Sequence, residues 1–409
     1  MKFSEFNFHA DLNEGIDSLG FEEATPIQEQ CIPFILEGKD VIASAQTGTG
    51  KTAAFLLPII QKIMEAGEHE SVKAMIIVPT RELAIQIDQQ MEGLSYFTNL
   101  SSMAIYGGGD GIEYAQEKTA LTQGADVIIC TPGRMISHLN HDYVNVSGLE
   151  YLILDEADRM LDMGFFEDIV RITSKLPKKR QTLMFSATMP EQIRLLARKT
   201  LNAPEEINIA ISKPAEKILQ IAYVVYNTQK IELVKYLLKT KDLNSILVFC
   251  STKSATKDLS RALKLEGFGV EDIHSDLEQR QREDVLLRFK SKETNILVAT
   301  DILSRGIDIE DIDLVVNYDV PHDGEDYIHR IGRTARAEAD GVAITLINQE
   351  EQIKFQAIEE LLEKEVYKAQ LPVHLGEGPE YNPVKPKPRK PFKKRYSNKK
   401  GAKKRPKKS

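Results

Sequence analysis

Short apolar runs punctuate the first half of the chain: Val41-Ile42-Ala43, Ala74-Met75-Ile76-Ile77-Val78, Asp126-Val127-Ile128-Ile129-Cys130, Tyr151-Leu152-Ile153-Leu154 and Thr182-Leu183-Met184-Phe185. They are rich in β-branched residues and do not alternate with polar positions, which predicts strands buried on both faces. Between them lie amphipathic stretches of helical length, such as Thr52–Ala66 and Arg81–Met91. Strand and helix alternating in this way predict βαβ units around a parallel sheet. The rhythm lapses around residues 202–217, where Pro204 and Pro214 sit in a mixed polar stretch. It resumes with Ser245–Phe249, Asn295–Ala299, Leu314–Asn317 and Val342–Ile347. The expected organisation is an α/β domain over residues 1–206, a linker over 207–217 and a second α/β domain over 218–370. A tail over 371–409, dominated by Pro, Lys and Arg, buries too little apolar surface to fold and is expected to be disordered.

Candidate chemistry begins where the first run ends. Ala45-Gln46-Thr47-Gly48-Thr49-Gly50-Lys51-Thr52 follows a strand and opens a helix, matching the phosphate-loop pattern GxxxxGK[ST] except for Ala45 in place of the first Gly. Small residues let backbone N–H groups wrap the β- and γ-phosphates of a nucleotide, and the helix N-terminus adds a favourable dipole. Lys51 would contact the phosphate oxygens and the Thr52 hydroxyl would help hold Mg²⁺. Asp155-Glu156-Ala157-Asp158 follows another buried run, at the strand end where α/β sheets bind ligands. Asp155 would bind Mg²⁺, partly through water, and Glu156 would orient and deprotonate an attacking water. Taken without the phosphate loop, the four residues could equally be an acidic helix cap.

Together the phosphate loop and the literal Asp-Glu-Ala-Asp resemble the DEAD-box RNA helicases of helicase superfamily 2, and the overall wording resembles their bacterial RhlE-like branch. The resemblance runs in order over roughly residues 3–350. Residues Gly20 to Gln28 look like the family's Q motif, with Phe3 at the spacing of its upstream aromatic. Pro79-Thr80-Arg81-Glu82-Leu83-Ala84, Gly107-Gly108 and Thr131-Pro132-Gly133-Arg134 look like its first-domain RNA-contact motifs, and Ser186-Ala187-Thr188 like the motif coupling hydrolysis to unwinding. In the second half, Gln279 with Arg282, Thr300-Asp301, Arg305-Gly306-Ile307-Asp308 and the segment His329 to Arg336 fit the remaining motifs.

The resemblance implies two tandem RecA-like domains closing over ATP and an RNA strand, with hydrolysis that separates short duplexes or remodels ribonucleoprotein. It implies that Gln28 pairs with adenine, which its amide can do through both carbonyl and NH₂, between apolar walls from Phe3 and Phe21. Asp308 is expected to accept from the ribose hydroxyls. Arg333 and Arg336 are expected to be arginine fingers, a device worth about 10³–10⁵ in rate in other nucleotide hydrolases. Thr80, Arg81, Gly107, Gly108, Thr131, Arg134, Gln279, Arg282, Thr300 and Arg305 are expected to touch the RNA backbone, which fixes register without reading sequence. Ser275 and Ala335 stand where the family commonly has Gly; if position 335 needs positive φ, Ala costs on the order of 1 kcal/mol there.

Charge changes the picture at one end. The net charge of −8 hides a tail from Tyr381 onward with 14 Lys or Arg and no acid, which leaves 39 basic against 61 acidic residues in the rest. Such a segment, with Phe392 and Tyr396 interleaved, suits RNA backbone binding. Lys403-Lys404-Arg405-Pro406-Lys407-Lys408 also resembles a nuclear localisation patch, but the motif wording favours cytoplasm. No apolar run approaches a membrane span and no leader pattern opens the chain. The scattered Cys31, Cys130 and Cys250 point to neither a disulfide framework nor a zinc site. Ribosomal particles or RNA-decay proteins are compatible partners. Two competing functions are a DNA-directed translocase of the same superfamily and an ATP-gated RNA clamp with slow turnover.

Overall fold

The computed structural model describes residues 1–45, 48–67, 71–108, 111–141, 143–209, 218–239, 243–300, 312–322, 324–334 and 341–383. Two seven-stranded, wholly parallel sheets organise them, and helices lie on both faces of each. The first sheet comprises β1 (Val41–Ser44), β2 (Ala74–Ile77), β3 (Ser102–Ile105), β4 (Val127–Cys130), β5 (Tyr151–Leu154), β6 (Gln181–Ser186) and β7 (Glu205–Asn208), in the order β3-β4-β2-β5-β6-β1-β7. The second comprises β8 (Ile218–Val224), β9 (Ile246–Cys250), β10 (Val270–Ile273), β11 (Ile296–Thr300), β12 (Leu314–Asn317), β13 (Gly341–Ile347) and β14 (Tyr367–Ala369), in the order β10-β11-β9-β12-β13-β8-β14.

The apolar runs are continuous because successive side chains feed different cores. On β2 and β5, Ala74, Ile76 and Ile153 join a cluster beneath the helices Pro26–Leu36, Lys51–Ala66 and Arg81–Leu94. Met75, Ile77, Leu152 and Leu154 join another on the opposite face, with Ile169 and Ile172 of the helix Phe166–Lys175. Each fully buried Leu or Ile contributes about 1.5–3 kcal/mol of burial free energy, so a charged residue at any of them would disrupt the sheet. This two-sided packing brings the C-terminal ends of β1, β2, β4, β5 and β6 to one edge.

Three boundaries differ from expectation. β7 pairs with β1 through Asn208, so the first sheet extends into the expected linker; residues 210–217 lie outside the described residues. The helix Arg81–Leu94 runs past Met91. The expected tail from residue 371 begins as folded chain: Leu371 and Leu375 pack on the second domain's core, and Tyr381 Oη donates to Glu359 Oε2 at 2.8 Å. Gln352 further ties down residues 380 and 382 through its side-chain amide. The apolar anchors are too sparse to show as a pattern in a segment rich in Pro and Gly. Residues 384–409 lie outside the described residues.

Candidate active site and nucleic-acid interface

From β1 the chain turns through Ala45 into the helix Lys51–Ala66. Gly48 and Gly50 have φ of 80° and 86°, a region costly for residues with a Cβ. A Cβ on Gly50 would also lie 2.4 Å from Gln28 Nε2, so space and backbone both demand glycine. Thr25 and Pro26 open the helix Pro26–Leu36 as N-cap and first residue, a favourable pairing. That start presents two side chains to the loop. Thr25 Oγ1 donates to Thr49 O at 2.7 Å, and Gln28 Nε2 donates to Gly50 O at 3.0 Å. Gln28 Oε1 accepts from Thr25 N at 2.8 Å. Gln28, 4% exposed, is therefore a clamp on the phosphate loop, although each amide atom keeps capacity for a further partner. Lys51 Nζ donates to Ala45 O at 2.8 Å within the loop, and Thr52 beside it is half-buried. Gln46 and Thr47 lie outside the described residues.

Phe3 does not offer an open wall. It is 4% exposed, with its ring 5.9 Å from Phe21 in a stacked arrangement and 6.1 Å from Phe6. Core packing thus claims Phe3, which backs the half-buried Phe21 instead of presenting its own face.

β5 delivers the acidic residues to the same edge. Asp155 is 3% exposed, and its Oδ1 accepts from Glu156 N at 2.9 Å. Burial pushes the Asp155 carboxyl above its ordinary range, opposed by the nearby Lys51 charge and by that hydrogen bond. Glu156 caps the helix Ala157–Asp162 at φ 49°, a left-handed backbone costing roughly 1–2 kcal/mol for a non-glycine. Strain of this kind concentrates at functional positions. Asp158 bridges to the end of β6. Its Oδ2 accepts from Ala187 N at 3.1 Å and Thr188 N at 2.9 Å, while its own N donates to Ser186 Oγ at 3.2 Å. Ser186 Oγ in turn donates to Thr188 O at 2.8 Å. Ser186 also pairs in register with Ser44, immediately before the phosphate loop.

A separate pocket gathers Thr80, Arg81, Gly107, Thr131 and Arg134 from the first domain with Arg282 from the second. A Cβ on Gly108, at φ 97°, would lie 2.1 Å from Arg81 Nη1, so glycine there lets the guanidinium lie against the backbone. Burial, then the nearby Arg282 charge, pulls the Arg81 pKa downward. Arg282 Nη1 sits 3.8 Å from Glu82 Oε1 across the domains, at the outer limit of an ion pair. The pocket is consequently short of negative charge, a setting that favours an anion such as a phosphodiester.

Elsewhere on the second domain, Thr300 ends β11 and is buried. Gln279 opens the helix Gln279–Lys290. Arg330 is structural: it is buried, donates to Asn317 Oδ1 and Asp319 O at 3.0 and 3.1 Å, and stacks over Phe249. Arg333 follows it and is half-buried; Ile312 N donates to its carbonyl at 3.4 Å. Asp301, Arg305, Asp308, Ala335 and Arg336 lie outside the described residues. A cleft of about 560 Å³ is lined by Asp158 and Thr188 on one side and by Asp326 and His329 of the second domain on the other.

The description "DEAD/DEAH box helicase" belongs to a family model matching residues 25–196, and "Helicase conserved C-terminal domain" to one matching 229–338. The ATP-dependent RNA helicase CshA of Listeria monocytogenes is 43% identical over 372 residues, 91% of this chain and 71% of that protein. The chain belongs to the DEAD-box ATP-dependent RNA helicases. Among further helicases of the family, CshA of Bacillus subtilis is 40% identical over 365 residues, 89% of this chain and 73% of that one. Solved structures agree: S. cerevisiae Dbp5 bound to RNA and ADP BeF3 has a TM-score of 0.79 at 29% identity, over 90% of this chain and 95% of that one. Mss116p bound to ssRNA and AMP-PNP also has a TM-score of 0.79, at 30% identity over 91% and 80%.

Within this DEAD-box helicase, the structure brings together the phosphate loop, Gln28, Asp155, Glu156 and Ser186–Thr188, and separately the backbone-contact candidates. Asp158 and His329 stand inside the Asp-Glu-Ala-Asp and His329-to-Arg336 motifs, but the motifs alone gave neither a role. Their approach across one cleft had no signal in the sequence, because the cleft is made of two domains distant along the chain.

Proposed function

We propose that this RNA helicase hydrolyses ATP in a cleft completed only when its two domains meet across nucleotide and RNA. The observation that carries the reading is the pairing of parts from both domains at two places: Arg282 beside Arg81 and Arg134, and His329 opposite Asp158 and Thr188. In this reading Lys51 leaves its contact with Ala45 O for the β- and γ-phosphate oxygens. Glu156 orients the attacking water and takes its proton as the O–P bond forms and the bond to the ADP leaving oxygen breaks. Arg333 and Arg336 neutralise charge on the transferring group, Asp308 holds the ribose, and Gln28 uses its spare capacity for adenine beside Phe21. Thr80, Arg81, Gly107, Gly108, Thr131, Arg134, Gln279, Arg282, Thr300 and Arg305 hold the RNA backbone.

The residues also fit a divalent cation. Asp155 is a desolvated carboxylate whose ionised form needs a compensating positive charge beyond Lys51, and Thr52 stands next to that lysine. Asp155, partly through water, and the Thr52 hydroxyl would hold Mg²⁺, which supplies charge neutralisation to the phosphate oxygens when bound. Among the described residues no helix is long and apolar enough to cross a membrane, and with bacterial relatives such as CshA we place the enzyme in the cytoplasm.

The reading is tested by ATP hydrolysis with and without RNA, and by RNA binding with and without ATP. Lys51→Ala should abolish RNA-stimulated turnover. Glu156→Gln should abolish turnover yet keep ATP-dependent RNA binding, because it removes the base and leaves the phosphate cradle. Normal turnover in Glu156→Gln refutes the role given to that carboxylate.

A further inference from the structure

Behind the nucleic-acid pocket, Arg134 is joined to a polar array whose other members lie in none of the motifs. Arg134 Nε donates to Glu117 Oε2 at 2.7 Å, and His138 Nε2 lies 2.8 Å from the same oxygen. On the other side of the ring, His138 Nδ1 is 2.6 Å from Tyr143 Oη, which is 3.0 Å from Tyr114 Oη. One assignment of protons satisfies every group. Tyr114 can donate to Tyr143, Tyr143 to Nδ1, and the Nε2–H of His138 to the carboxylate. Glu117 Oε1 is held separately by Tyr106 N at 3.3 Å. His138 is fully buried and stacks on Tyr114 at 4.7 Å, and Arg134 lies over the same Tyr114 ring at 4.7 Å. The guanidinium is thus fixed at one edge by a carboxylate and on one face by an aromatic ring. Its Nη2 is buried without a hydrogen-bond partner among the described residues.

A buried, unpaired N–H of a guanidinium is costly unless some state of the protein supplies an acceptor. We propose that Glu117 and His138 are positioning residues that hold Arg134 preorganised for an RNA phosphate, so that RNA supplies the acceptor missing from the free enzyme. The inference rests on the reading of that pocket as the RNA backbone site. An arginine is conformationally rich, and freezing it before binding spares that ordering at the moment of binding. Losing the hold should therefore weaken RNA and leave the hydrolytic step alone.

The test uses the full chain, an oligo(U) RNA, and the variants Glu117→Ala, Glu117→Gln, Arg134→Ala and the double Glu117→Ala/Arg134→Ala. Thermal melting establishes that each is folded. Glu117→Ala should raise the RNA concentration giving half-maximal ATPase by about tenfold, the order expected for one charge-assisted hydrogen bond. Its kcat at saturating RNA and its KM for ATP should stay at the parental values. Glu117→Gln, which keeps a carbonyl acceptor for Arg134 and His138, should recover most of the affinity. In the Arg134→Ala background, Glu117→Ala should have no further effect. If it weakens RNA by the same factor there, or if it lowers kcat instead of raising half-saturation, the positioning role is overturned. If Arg134→Ala itself leaves half-saturation unchanged, the pocket is not the RNA site and the functional reading of it fails first.

Discussion

The bridge from Asp158 to residues 187–188 joins the nucleotide edge to the interdomain cleft, so removing it should separate hydrolysis from unwinding. In Asp158→Ala, the N–H groups of Ala187 and Thr188 lose their carboxylate acceptor at 3.1 and 2.9 Å. Hydrogen bonds to a charged group are worth about 1.5–3 kcal/mol each. Because the site is only partly buried, about half of that is a fair figure, giving roughly 1.5–3 kcal/mol for the pair. That corresponds to a loss of roughly 10- to 150-fold in the population of the ordered 187–188 turn. Lys51, Gln28 and Asp155 make none of these bonds, so the KM for ATP should change by no more than about threefold. The assay is displacement of a short RNA duplex beside phosphate release on the same sample. Duplex displaced per ATP hydrolysed should fall by at least about tenfold. If that ratio is unchanged, or if KM for ATP rises as much as unwinding falls, the bridge is not the coupling element.

Three further outcomes follow from the geometry. Gly50→Ala forces a side chain onto Gln28 Nε2 at positive φ, and at roughly 1–2 kcal/mol for the backbone alone it should raise the KM for ATP by about tenfold; an unchanged KM would show that the clamp is slack. The buried Asp155 carboxyl has its pKa raised, so its protonated form persists to higher pH than that of an ordinary carboxylate. Affinity for Mg-ATP should therefore fall on acidification already above the usual carboxylate range near 4. In the free protein the sign is opposite: the stability associated with this group is fully present at low pH and lost as pH rises through the raised pKa. Nucleotide titrations and thermal melts from about pH 4 to about pH 8, with Asp155→Asn as the flat control, measure both. Finally, a chain ending at Pro383 keeps the Tyr381 anchor and loses all 14 basic residues of the tail. RNA half-saturation should rise and its salt dependence flatten, with kcat retained; an unaltered salt slope would exclude tail binding.

How much of this was legible depends on where a strand sits. The runs at β2, β4, β5 and β6 are buried on both faces, and that leaves a contiguous apolar signature which periodicity detects. The strands that escaped are the four sheet edges, β3, β7, β10 and β14, and β8, which lies beside the last of them. An edge strand has a neighbour on one side only, so residues such as Glu205, Glu206, Glu271 and Asp272 are tolerated in it. β14 is in addition only three residues long. At the site, residue types at fixed spacing revealed the phosphate loop and the acidic pair. What they could not reveal were bonds set by tertiary approach. Gln28 grips Gly50 across 22 positions, Asp158 grips Thr188 across 30, and Phe3 is covered by Phe6 and Phe21. Each of those depends on two elements meeting, which no local pattern encodes.

In the proposed mechanism hydrolysis waits for the second domain. Single-turnover ATP hydrolysis by the parental enzyme and by Arg333→Ala, each with and without saturating RNA, measures this dependence. Strong RNA stimulation is expected in the parent, and a loss of about 10³-fold or more in the RNA-bound rate of the variant, with ATP and RNA still bound. A variant that hydrolyses ATP at the parental RNA-stimulated rate would contradict it.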